Sequence, residues 1–271
     1  MSTSVFRRTP DGFFATELAR GPWHPDAQHG GAPAALIMRA LERCEPVAEL
    51  VLARVSYEFM RPVPLGALTV HTEVVRPGRR VQLLEASLRT PDGTEVVRAR
   101  ALRVAAAEVA SSGQRSPPAQ GPDTAVANDF RSPHEMFATD ALEIRFVAGA
   151  FYELGPATAW FRLRHQLVDG EPPSPLQRLA AAGDFGNGIS TTLPWEEYTF
   201  INPDLTLYIE RAPVGEWICL QSETRVTNGS IGIAQSVLYD RQGRVGDATQ
   251  ALLVTRKPGP TRAAATSAER P

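Results

Sequence analysis

Lysine is almost missing from this chain: Lys257 is the only one, and arginine carries nearly all the positive charge. That preference is a composition bias and points to no function. An excess of either charge is missing too. The formal net charge is −2, which leaves no basic footprint for nucleic acid or an anionic membrane. Cysteine is scarce. Cys44 and Cys219 are the only two; they form no C-x-x-C pair and stand near no metal-ligand partner, so buried, reduced thiols are expected. No run of about 18 apolar residues exists, so no membrane-spanning helix is expected. The opening MSTSVFRRTPDG lacks the apolar stretch of a signal peptide, and a cytoplasmic location follows as an expectation. Several catalytic signatures are also missing. There is no G-x-S-x-G elbow, no HExxH, no Walker pattern and no G-x-G-x-x-G. No metal and no redox cofactor is implied.

What is present is ample core material and a repeat. Hydrophobic residues make up 43% of 271, enough for one large or two medium domains. Residues 55–104 (VSYEFMRPVPLGALTVHTEVVRPGRRVQLLEASLRTPDGTEVVRARALRV) share their rhythm with residues 204–254 (DLTLYIERAPVGEWICLQSETRVTNGSIGIAQSVLYDRQGRVGDATQALLV). Pro64-Leu65-Gly66 falls on Pro213-Val214-Gly215, and Pro91-Asp92-Gly93 falls on Arg241-Gln242-Gly243. Both copies read strand, turn, strand, turn, strand, which marks a duplicated supersecondary block. Arg100 in the first copy falls on Gln250 in the second. That asymmetry points to one site built jointly by the two halves.

Each half predicts an antiparallel sheet with one main helix arriving early. In the first, a strand over 12–18 precedes a Pro/Gly-rich loop (21–31) and a helix over 32–44, with Pro33 tolerated in its first turn. Strands follow at about 50–60, 67–76, 80–90 and 95–105, separated by Arg76-Pro77-Gly78 and Pro91-Asp92-Gly93. In the second half, strands over 141–148 and 158–166 lead to a helix over 175–185, broken by Gly186-Asn187-Gly188. Strands follow near 205–211, 216–226, 229–239 and 246–256. A short helix with a nearly all-apolar face needs a sheet curled around it. The expected units are 1–108, a Pro/Ser/Ala-rich linker over 109–138, 139–257, and a disordered tail from 258 to 271.

That order is similar to the double hotdog fold, an α+β tandem of two antiparallel sheets each wrapped around a central helix. The segments LEIRFVAG, TAWFRLR, LAAAGDFGNG, FINPDLTLYIERAPVGEW and LYDRQGRVGDATQALLV, in that order, resemble the C-terminal half of type II acyl-CoA thioesterases. His29-Gly30-Gly31 before a helix resembles the N-terminal half, where a Gly-Gly pair opens the central helix. The resemblance covers about residues 10–105 and 140–256. It implies hydrolysis of an acyl-CoA thioester by direct attack of water, with no covalent intermediate. It also implies a homo-oligomer, through sheet edges or faces.

The resemblance implies a site made of an Asp on the second helix, a Thr before a strand and a Gln on the last strand. Asp184 and Gln250 match the first and last. The Thr position falls on Asn202, where an amide replaces a hydroxyl; an amide can still donate to and accept from water. Read as residues alone, Asp184 could be a helix-end hydrogen bonder, Gln250 a surface amide and Asn202 a turn former ahead of Pro203. Alternation puts Gln250 on the inward face with Leu252 and Val254, where an amide needs a partner. Gly30 and Gly31 offer free N–H groups at a helix start, suited to a thioester oxygen gaining charge. His29 reads as a structural hydrogen bonder, and Asp204 as a turn residue. The acyl chain is expected between the two helices, near Leu36, Met38 and Phe185. Two rivals stand beside the hydrolase: a non-catalytic acyl-binding protein, and an acyl-CoA hydratase or dehydratase. The second pairs Asp with a His, and no His lies near Asp184 in sequence.

Overall fold

The structure, a computed structural model, describes residues 3–107, 118, 120–227 and 229–257. The expected disordered tail, and residues 109–117 and 119 of the expected linker, lie outside the described residues.

Alternating apolar residues and Gly or Pro turns give the first half its strands. They are β1 (Ser4–Thr9), β2 (Gly12–Ala15), β3 (Leu50–Phe59), β4 (Gly66–Arg76), β5 (Val81–Arg89) and β6 (Glu95–Ala105). Between β2 and β3 runs α1 (Gly31–Arg43). The chain continues through β7 (Val126–Ala127), β8 (Leu142–Ala148), β9 (Ala157–Leu163) and the short β10 (Gln166–Val168). Then come α2 (Pro175–Gly183), α3 (Gly186–Ser190), β11 (Tyr198–Ile201), β12 (Asp204–Ile209), β13 (Ile218–Val226), β14 (Ile231–Asp240) and β15 (Gly243–Arg256). The four main strands of each half match the expected ones closely. Three findings differ. Strands β1, β7, β10 and β11 carry too little pattern to be read. The strand expected over 158–166 ends at Leu163. The glycines of Gly186-Asn187-Gly188 do not break the helical path, which resumes as α3.

Two antiparallel sheets running edge to edge were expected; the described strands join into one hydrogen-bonded path. Its order is β10-β1-β2-β4-β5-β6-β3-β12-β15-β14-β13-β9-β8-β7, with β11 also on β15. The halves meet where β3 pairs with β12, antiparallel. Pairing there covers two edges that would otherwise expose unpaired backbone groups. Outward from this seam, β3-β6-β5-β4-β2 on one side mirrors β12-β15-β14-β13-β9 on the other. The two helices pack against each other over the seam. Alanines 34, 35, 180 and 181 are fully buried there and let them approach closely. Two further ties join the halves. Strand β10 pairs parallel with β1. Glu171 takes Arg39, 2.7 Å away, together with Arg8 and Arg43. Within the expected linker, Val126 and Ala127 pair with β8, and Phe137 is fully buried in the core.

The seam also corrects the alignment of the repeat. Ser56 faces Thr206 across it, so exchanging the halves carries residue 56 onto 206, and 55 and 57 onto 205 and 207. Ser56 pairs with Arg100 on β6, whereas Thr206 pairs with Thr249 on β15. Arg100 therefore corresponds to Thr249, and Gln250 corresponds to Ala101. The hairpin β14–β15 closes through two residues, Arg241 and Gln242, whereas β5–β6, where Thr90 bonds Thr94, closes through three, Pro91, Asp92 and Gly93. That difference shifts the register by one, and a one-residue slip turns a side chain to the other face. Arg100 lies on the outer face, 64% exposed and paired with Glu85 at 3.0 Å.

Candidate functional site

Ser174 caps the start of α2 by accepting the Gln177 N–H, with Pro175 in the first turn, where a missing N–H costs nothing. The helix ends at Gly183. Asp184 is its C-cap, and α3 begins two residues on. This break turns the Asp184 side chain inward, where it is 5% exposed. Asn202 sits between β11 and β12. Pro203 has no N–H to give the ladder, so pairing with β15 lapses there and the Asn202 side chain is free to point at the helix end. Gln250 lies on the inward face of β15 with Leu252 and Val254, all three buried, as alternation requires.

These elements converge. The Asn202 amide donates to Asp184 Oδ1 at 2.7 Å. The Gln250 amide donates to the same oxygen at 2.9 Å. Gln250 Oε1 in turn accepts the Asn187 N–H at 3.3 Å, which fixes the orientation of its amide. On the other side, Asp184 Oδ2 stands 3.2 Å from His29 Nδ1. The Gly31 N–H reaches His29 Nδ1 at 3.1 Å and also bears on the carboxylate. The His29 ring is stacked on Phe185, with centroids 4.2 Å apart. Asp184, Asn202, Gln250, His29, Gly30 and Gly31 thus form one cluster.

Burial dominates the electrostatics. Loss of water pushes the Asp184 carboxyl up to about 7, against the partial relief given by Asn202, Gln250 and the Gly31 N–H. Burial also lowers the His29 imidazole to about 3, so it is neutral at physiological pH. A carboxylate that titrates near neutrality is a competent general base.

The glycine pair is explained by space. A Cβ on Gly30 would stand 2.6 Å from Asp184 Oδ2 and 3.1 Å from the Phe59 ring. A Cβ on Gly31 would stand 2.5 Å from the Ala181 carbonyl oxygen. The room left by the missing side chains holds the carboxylate and the neighbouring helix. Among the described residues, the Gly30 N–H has no protein acceptor, whereas the Gly31 N–H is already engaged.

Sequence reasoning missed His29 as a neighbour of Asp184. The two are far apart in the chain, and only the antiparallel packing of α1 on α2 brings them together. Phe137 and Asn187 were missed for the same reason; no local signal marks them. Leu36, Met38 and Phe185 are packed shut in the core and line neither described cavity. A cavity of about 540 Å³ opens instead at the opposite end of the helix pair, among Val47, Leu50, Leu52, Leu176, Ile209 and Arg103. Asp204 starts β12 and accepts the Ala251 N–H at 2.7 Å, a structural duty. Among the described residues no His, Cys, Asp and Glu group has the arrangement of a metal site.

Comparison with known proteins fits this arrangement. Residues 19–104 match the model of the acyl-CoA thioesterase N-terminal domain, and residues 115–254 match that of the C-terminal domain. No curated protein is similar enough to count as a match. Among solved structures, a protein of unknown function with a hotdog fold from Alicyclobacillus acidocaldarius aligns with a TM-score of 0.71 at 16% identity, over 95% of this chain and 97% of that one. A protein provisionally named a thioesterase from Novosphingobium aromaticivorans gives 0.68 at 23% identity, over 92% and 98%. The acyl-CoA thioesterase II TesB2 of Mycobacterium marinum gives 0.66 at 16% identity, over 90% and 97%. At these identities the likeness establishes the hotdog fold. The two domain matches span the glycine pair as well as Asp184, Asn202 and Gln250, and on them the chain belongs to the acyl-CoA thioesterase family.

Proposed function

We propose that the protein is a double hotdog thioesterase that hydrolyses an acyl-CoA thioester by direct attack of water. One observation carries this reading. A buried carboxylate, titrating at about 7, is held by two amide donors against the glycine start of a helix from the other half. Asp184 Oδ1 is occupied by both amides, so Oδ2 is the oxygen that takes a proton from water. Asn202 and Gln250 orient the carboxylate, and the amide at 202 does this directly where the family has a hydroxyl. The Gly30 N–H, backed by the positive end of α1, stabilises the thioester oxygen as it gains charge. The water oxygen bonds to the carbonyl carbon, the carbon–sulfur bond breaks, and the thiolate of CoA takes the proton from Asp184. The thioester hydrolysis needs no metal or redox group. Two free, buried cysteines favour a cytoplasmic location, and the described residues contain no helix long and apolar enough to cross a membrane.

The His29–Asp184 contact supports a second reading, an acyl-CoA hydratase or dehydratase, which also places Asp beside His. The deciding experiment supplies saturated and 2-enoyl-CoA substrates of several chain lengths. Thiol release from the saturated series, lost in Asp184→Asn, supports the hydrolase. Loss of the enoyl absorbance without thiol release supports the rival. Binding with neither reaction supports a non-catalytic acyl-binding protein.

A further inference from the structure

His29 Nδ1 faces two groups at once, the Gly31 N–H at 3.1 Å and Asp184 Oδ2 at 3.2 Å. An imidazole nitrogen carries either a lone pair or a hydrogen in its ring plane. Accepting the Gly31 N–H requires the lone pair. An ionised Asp184 would then set an oxygen lone pair against a nitrogen lone pair between two largely buried side chains. A proton on Oδ2 removes the conflict, and the one lone pair of Nδ1 is then shared between two donors, the Gly31 N–H and the Asp184 O–H. The ring cannot swing away: Phe185 stacks on it, Phe137 lies 5.5 Å off its centre, and its own backbone N–H is bonded to Ala19 O at 2.9 Å.

We propose that His29 is the proton-positioning partner of Asp184: its Nδ1 accepts a hydrogen bond from the proton that Oδ2 takes from the attacking water. The imidazole stays neutral throughout and acts only through the carboxyl group. As the water oxygen bonds to the thioester carbon, its proton passes to Oδ2 and is held there toward Nδ1. When the carbon–sulfur bond breaks, the sulfur leaves with the electron pair and collects that proton. His29 thereby makes Asp184 a stronger base than burial alone does. The groups packed on the pair are Phe59 from β3, Phe137 from the turn before β8, Phe185 and Asn187 from the α2–α3 junction, Asn202, and Gln250 from β15. None of these titrates, and no other charge among the described residues acts on either group.

The kinetic part of this proposal rests on the hydrolase reading; the proton placement does not. The test therefore has two arms. The first follows the Asp184 carboxyl by ¹³C NMR against pH in aspartate-labelled protein, assigned by its loss in Asp184→Asn. The second measures the pH profile of kcat/KM for thiol release. His29→Phe keeps an aromatic ring on Phe185 and removes Nδ1; His29→Gln serves if the Phe variant fails to fold. The expected result is a fall of the carboxyl midpoint by about one pH unit, the equivalent of one hydrogen bond to the neutral form. The acid limb of kcat/KM moves down with it, and the plateau rate drops. A midpoint that rises puts the proton on the imidazole and overturns the proposal. An unmoved midpoint reduces His29 to a stacking ring and overturns it equally. A lowered midpoint in a protein that releases no thiol from any acyl-CoA leaves the proton placement standing and removes the hydrolase reading instead.

Discussion

The two ends of the α1–α2 pair carry a carboxylate each, in different surroundings. Glu42, near the end of α1, receives the Ser174 hydroxyl at 2.8 Å and the Gln177 amide at 2.8 Å. Ser174 is also the cap of α2, so Glu42 fastens a helix start. Around it, counting by the seam, Leu52 stands where the other end has Asn202, Ile209 where it has Phe59, and Ala101 where it has Gln250. Leu52 and Ile209 line the open cavity. Asp184 sits at the closed end, buried, with amides at two of those three positions. Both carboxylates accept from an amide, so burial is what separates them: Asp184 is buried and Glu42 only partly so. On the proposed reading only the buried one acts as a base.

The largest expected effect separates the two carboxylates directly. Asp184→Asn keeps the shape and both amide contacts but cannot accept a proton, so thiol release falls by about 10²–10⁴ with the fold intact by circular dichroism. Glu42→Gln leaves turnover near that of the unaltered protein and lowers the melting temperature, because it weakens the fastening of α2. The reverse outcome would put the site at the cavity end. Gly30→Ala comes next. Its methyl group pushes against Asp184 Oδ2, and a loss of about 10²–10³ in kcat is expected from the displaced base and oxyanion donor; Gly121→Ala, where a methyl group meets open space, is the control.

A pH effect follows from the raised Asp184 carboxyl. Its folded value, about 7, lies above that of the unfolded chain, so its contribution to stability is present at low pH and is lost as pH rises through about 7. Activity rises over the same window as the carboxyl ionises. Melting curves and kcat/KM measured between pH 5 and 9 should move in opposite directions, and Asp184→Asn should flatten both. Gln250→Ala removes one of the two amides from Oδ1. It costs less turnover than Asp184→Asn and about 1–3 kcal/mol of stability by urea unfolding. The smallest effect belongs to Arg100→Ala. On the outer face it changes stability by about 0.5 kcal/mol or less and leaves turnover alone; loss of activity there would restore the alignment of Arg100 with Gln250.

Much of the fold was legible because its physics is local. The strands of both repeats announce themselves by alternation and by Pro-Gly or Asp-Gly turns, and α1 by its alanines and leucines. Strands β10 and β11 span only a few residues and take their form from partners distant in the chain, so no window of sequence reveals them. Gly186-Asn187-Gly188 misled for a related reason. Gly186 has no room for a Cβ, with Ser236 Oγ at 2.9 Å and Gln250 Oε1 at 3.0 Å, so this glycine serves packing, not a turn. Asp184, Asn202, Gln250 and the glycine pair came through the family resemblance and do converge. The contact of His29 with Asp184 had no signature, because its cause is the crossing of two helices from different halves.

Strand β1 has a consequence for how the chain is made. Its outer edge is covered by β10, parallel, with Ser4 opposite Gln166 and Phe6 opposite Val168. Some 160 residues separate these partners, so at ribosomal speeds of about 5–20 residues per second the edge waits about 8–30 seconds for its neighbour. During that time Val5 and Phe6, fully buried at the end, are exposed beside an unpaired ladder. A strand made well before its partner is sealed only when that partner arrives. Protection of its amides in pulse-labelled refolding should accordingly lag behind that of the local hairpin β5–β6.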